Sequence, residues 1–124
     1  MSYIYYNPNP SRKKTVDCTI RAICLLTGMD WETVYVGTTS QGLLDHDMPE
    51  SDAVWGKYLY NMGFRRYSLP NTCPYCYTVK DFCYDHPVGY FLLKTQGHVV
   101  AVKDGDYYDT GDCGDEIAVY YWTR

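Results

Sequence analysis

A cysteine at the opening of an apolar helix, a histidine at the opening of a strand and an aspartate one hairpin later are the residues that could do nucleophilic chemistry here. The stretch TVDCTIRAICLLTG, residues 15–28, sets Cys18 beside the capping types Thr15 and Asp17. Ile20, Ile23, Leu25 and Leu26 supply apolar surface, and Gly28 is a natural stop. The thiolate is the reactive form of cysteine, and its pKa falls at a helix N-terminus and beside an imidazolium. The stretch GHVVAVKDGDYYDT, residues 97–110, supplies the imidazole. Asp104-Gly105 is a two-residue hairpin signal. With that turn, Lys103 faces Asp106, Val102 faces Tyr107 and Val100 faces Asp109. His98 and Asp109 become diagonal neighbours on one sheet face, roughly 7–8 Å apart at the backbone and within reach at their side-chain tips. A slip of one residue would put them on opposite faces. The acid would fix the ring's tautomer and orientation. The Cys18 N–H, at the open end of its helix, would point toward a developing oxyanion. A second oxyanion donor is to be found among Asn7, Asn9 and Gln96, and the sequence does not choose between them.

Other residues compete for these roles. His46 is a rival base, but it sits between Asp45 and Asp47 in a loop and reads as solvated surface. Cys24 falls on the helical pattern and is expected to be buried. Cys113 lies in TGDCGDE, where Asp112 and Asp115 disfavour a thiolate. CPYCYTVKDFCYDH holds Cys73, Cys76, Cys83 and His86 as two close pairs, a spacing that suits tetrahedral zinc. That segment is expected to be either a zinc site or a reduced loop packed over the sheet. CPYC also spells a redox motif, but it lacks the βαβ context such a motif needs.

The elements around these residues follow from local signals. NPNP at 7–10 interrupts regular structure after a short strand over Tyr3–Tyr6. A first helix is expected over Cys18–Thr27. A second, capped by Asp30, is expected to weaken at Gly37, and a third to follow Ser51 and end near Gly63. TVKD at 78–81 has capping-box spacing and opens a short fourth helix. The pattern then changes to period two, giving strands in GYFLLKT, HVVAVKD, DYYDT and EIAVYYW. Helices first and strands later predict an α+β fold, N-terminal helices packed on a C-terminal antiparallel sheet, in one domain over residues 1–124.

Bulk properties narrow the function. A net charge of −4 argues against a dedicated nucleic-acid binder. No apolar run approaches the ~20 residues that span a bilayer. The first residues carry no signal-peptide pattern, so reduced thiols and a cytoplasmic location are expected. The oligomeric state is not legible.

Taken together, Asp17-Cys18 opening the first helix, Gly97-His98 opening a strand and Asp109 after the hairpin resemble the papain-like cysteine peptidase superfamily in its minimal forms. The chain is also similar to small proteins of bacteria and their phages, which would set it in the bacterial cell or, if phage-encoded, in the host cytoplasm. The resemblance implies Cys18 as nucleophile, His98 as base and Asp109 as its orienting acid, acting on a peptide or protein substrate with no cofactor required. It covers only these residues and the helix-then-sheet order. Where such enzymes often carry a glutamine, six residues before the cysteine, this chain has Arg12. The alternative is a non-catalytic protein-interaction module in which the 73–86 cluster is a structural, zinc-stabilised element.

Overall fold

Capping and close helix contacts set the N-terminal half. A computed structural model describes residues 1–124. Helix α1 (Cys18–Thr27) ends at Gly28, whose φ of 76° gives the left-handed stop that glycine allows. Helix α2 (Trp31–Asp45) is capped by the Asp30 side chain, which accepts from the Thr33 N–H at 2.8 Å. It runs through Gly37, where a weakening was expected. The reason is packing: a Cβ at Gly37 would sit 2.5 Å from the Tyr58 ring, so the glycine lets α2 approach α3 (Asp52–Asn61). That contact outweighs the ~1 kcal/mol a helical glycine costs. Helix α4 (Val79–Asp85) opens with the capping box of Thr78 and Asp81.

Six strands form one sheet: β1 (Tyr3–Tyr5), β2 (Arg65–Ser68), β3 (Tyr90–Thr95), β4 (Val99–Lys103), β5 (Asp106–Asp109) and β6 (Ala118–Thr123), in the order β1-β5-β4-β3-β6-β2. The expected antiparallel sheet is instead mixed. β1 joins the edge of β5 in parallel, Tyr3 beside Tyr107 and Tyr5 beside Asp109. A period-two pattern carries no strand direction, so alternation alone could not have shown this. The β4–β5 hairpin has Lys103 opposite Asp106 and Val102 opposite Tyr107.

The strands bury both faces. Leu92, Val99 and Ala101 face α1, α2 and α3 with Ile23, Trp55 and Trp122. Their neighbours Leu93, Val100 and Val102 face α4 with Val79 and Phe82. The fold is therefore α+β, with four helices and a six-stranded mixed sheet. No helix is long and apolar enough to cross a membrane.

One expectation about sulfur is corrected. Cys73 and Cys76 are joined in a disulfide, while Cys18, Cys24, Cys83 and Cys113 are free thiols. The two-residue spacing within a turn sets the first pair side by side.

Candidate active site

Cys18 is the first residue of α1 and is half-buried. The residue before it, Asp17, does not cap the helix with its side chain. Its carboxylate instead takes a hydrogen bond from Trp31 Nε1 at 2.9 Å and pairs with Arg21, one turn along α1. Arg21 then reaches across to the sheet, where Nη2 donates to Asp109 Oδ1 at 2.9 Å. Asp17, Arg21 and Asp109 are each no more than 5% exposed, so three charges are buried together and paired with one another, while Arg21 Nε is left without a partner.

Asp109 is also fixed through its backbone and neighbours. Its carboxylate accepts from the Thr110 N–H at 2.7 Å. Its carbonyl accepts from the Tyr6 N–H at 2.9 Å and the Tyr3 hydroxyl at 3.2 Å. The remaining carboxylate oxygen, Oδ2, bonds Nε2 of His98, which stands just before β4. Nδ1 of the same ring has no protein partner, and Cys18 lies close enough to the imidazole for the two groups to shift each other's pKa.

Electrostatics follow from this chain of contacts. Burial pushes the Cys18 thiol up, but the His98 hydrogen bond and charge, the Val99 N–H and the Arg21 guanidinium together bring it below the ordinary thiol value. The His98 pKa is raised from 6.5 to about 10, first by the hydrogen bond to Asp109 and then by that to Cys18, against burial. Burial pushes Asp109 up, but His98, the Thr110 N–H and Cys113 outweigh it and hold the acid below its ordinary value. The charge distribution favoured is thiolate, imidazolium and carboxylate in a row. No other free cysteine is so placed. Burial pushes Cys24 up to about 12 and Cys83 up to about 11. Cys113 is held well above the ordinary range by burial and then by Asp109.

The other sequence candidates separate. His46 is exposed at the C-terminal cap of α2. Asn7 spends its amide on the Lys13 carbonyl at 3.2 Å. Gln96 is exposed and lines a shallow cavity with Leu69 and Cys73 rather than the one at His98. Asn9 is buried; its Oδ1 accepts from the Ser11 N–H at 2.9 Å, and its Nδ2 donates to no protein group. Cys73, Cys76, Cys83 and His86 are not gathered into a ligand set. The first two are bonded to each other, Cys83 packs in the α4-side core, and His86 stacks on Phe82 with Nδ1 2.8 Å from the Phe82 carbonyl oxygen. His98, Asp109 and Cys113 do present ligand-type atoms within 4.8 Å of one another. Arg21 on the same carboxylate opposes a cation there.

Sequence reasoning missed Arg21. The available signal was its place four residues after Asp17, a helical ion-pair spacing, inside an otherwise apolar stripe. A cavity of 700 Å³ lies around Gly28 at the far end of α1, about 15 Å of helix from Cys18. A smaller one of 270 Å³ opens on His98, Asp109 and Cys113. A third, of 310 Å³, lies between the first turn of α1 and α2.

No family model, curated protein or solved structure matches the chain.

Proposed function

We propose that this protein is a papain-like thiol hydrolase that cleaves a peptide, isopeptide or amide bond. The observation that supports it is that Cys18 and His98 lie close enough to shift each other's pKa, the thiol down and the imidazole up, while His98 is bonded to Asp109. Cys18 Sγ attacks the carbonyl carbon, and the developing oxyanion meets the Cys18 N–H. A second donor would come from Asn9 or Gln96, since Asn7 already donates to the Lys13 carbonyl. The His98 proton passes to the leaving amine as the carbon–nitrogen bond breaks, leaving a thioester. His98 then takes a proton from water, whose oxygen attacks the thioester and frees Cys18. Asp109 holds the ring, and the reaction requires no cofactor. This reading needs Cys18 to stay a thiol while Cys73 and Cys76 are joined in their disulfide.

Iodoacetamide at neutral pH tests the reading. Cys18 should label stoichiometrically and ahead of Cys24, Cys83 and Cys113, by peptide mapping. Cys18→Ser should abolish that label and any hydrolysis while the fold survives. Uniformly slow thiols would favour the second reading, a protein-interaction module. That alternative is supported by the apolar residues exposed on α2, among them Tyr35, Val36, Leu43 and Leu44.

A further inference from the structure

The 310 Å³ cavity beside α1 has no part in the bond chemistry, yet it starts where the nucleophile does. Asp17 and Thr19, the two neighbours of Cys18 in the chain, both line it. Its apolar wall comes from Val16, Ile20, Tyr35 and Met48. Val16 is fully exposed and Met48 is 60% exposed, so the rim offers apolar surface that nothing in the chain covers. Tyr35 is held as a fixed wall by stacking on Trp31 at 5.1 Å, and Trp31 is tied to Asp17.

The charge of the cavity has one sign. Asp17 and Glu50 line it, and no lysine or arginine does. Asp17 is already neutralised by Arg21 and bonded by Trp31. Glu50 is exposed and its carboxylate has no partner. A cavity whose apolar wall stands beside Thr19, Thr38 and Thr39 and whose lining includes the unpaired Glu50 carboxylate suits a side chain with a long aliphatic stem and a cationic tip. The volume is at the small end of the ~300–1,000 Å³ typical of ligand pockets, which fits one side chain rather than a cofactor.

Resting on the thiol-hydrolase reading, we propose that this cavity is the specificity subsite, taking a lysine or arginine side chain of the polypeptide substrate with its charge at Glu50. A helix is about 10–12 Å across, and an extended chain advances about 3.3 Å per residue. A substrate crossing the open end of α1 from Cys18 therefore reaches the cavity in about three residues. The basic residue sits at that remove from the bond cut.

Peptidyl chloromethyl ketones carrying lysine, leucine or glutamate at each of four positions test this. The rate of Cys18 alkylation is read by mass spectrometry and divided by the same protein's iodoacetamide rate, which reports the sulfur's own reactivity. At one position about three residues from the electrophile, lysine should exceed glutamate by about tenfold, the difference between an exposed attraction and an exposed repulsion. Glu50→Lys should reverse the order and Glu50→Gln should flatten it. A missing lysine preference, or one that survives Glu50→Lys, overturns the subsite. Failure of iodoacetamide itself to label Cys18 overturns the hydrolase reading instead. In that event, anisotropy of a fluorescein-labelled lysine peptide on the Cys18→Ser protein still decides the cavity: loss of binding in Glu50→Lys supports it, and equal binding refutes it.

Discussion

Arg21 carries two buried carboxylates, one on its own helix and one on the sheet. Removing its charge strands both. Arg21→Met, which keeps much of the stem, should lower stability by about 3–5 kcal/mol, read from urea unfolding. Arg21→Lys should recover only part of this, since an ammonium cannot address both acids with a planar fork. The pH dependence belongs to the same residues. The proposed hydrolysis needs a thiolate together with a protonated His98, so under that reading activity should fall on the alkaline side near about 10, where the imidazolium is lost. His98→Ala should remove that limb and lower turnover by about 10²–10⁴. Asp109→Asn should cost less, because the acid positions the ring and does not move the proton. Stability follows the same sign. A histidine raised above its ordinary 6.5 stabilises the fold fully below that value, and the increment is lost as pH climbs through about 10.

Elements whose signals are local were legible from sequence. The span of α1 follows from Cys18 and Gly28, the start of α4 from the Thr78–Asp81 box, and the β4–β5 register from Asp104-Gly105. That register sets His98 and Asp109 on one face, so half of the candidate site could be read from fourteen residues. Arg21 could not be assigned to Asp109, because its partner lies 88 residues away and a charge in a helix does not name what it meets. The persistence of α2 past Gly37 was hidden for the same reason, since Tyr58 lies on another helix. Gly42, further along α2, shows how tight the following loop is. A Cβ there would lie 2.7 Å from the Asp47 carbonyl oxygen and 3.3 Å from Pro49 N, both backbone atoms. Gly42→Ala should therefore cost about 1–3 kcal/mol despite alanine's better helix propensity, seen as a lowered urea midpoint. The same change should disturb Met48 and Glu50 and weaken any preference for a basic substrate.

On the scale of the whole molecule, the parallel pairing of β1 with β5 ties the first residues of the chain to the acid of the site. Tyr6→Pro removes the N–H that reaches the Asp109 carbonyl. It should cost about 1–3 kcal/mol and slow Cys18 alkylation, with faster amide exchange along β5 as the independent sign that the acid has loosened. The pairing also fixes an order of events during synthesis. Tyr3 waits for Tyr107, and Cys18 for His98 and Asp109, all made well after their partners. At roughly 5–20 residues per second, the ribosome spends several seconds between the cysteine codon and the aspartate codon. Through that interval the emerging sulfur has no imidazole beside it and stays an ordinary thiol. Whatever reactivity His98 lends the sulfur therefore arrives only once β4 and β5 have been made.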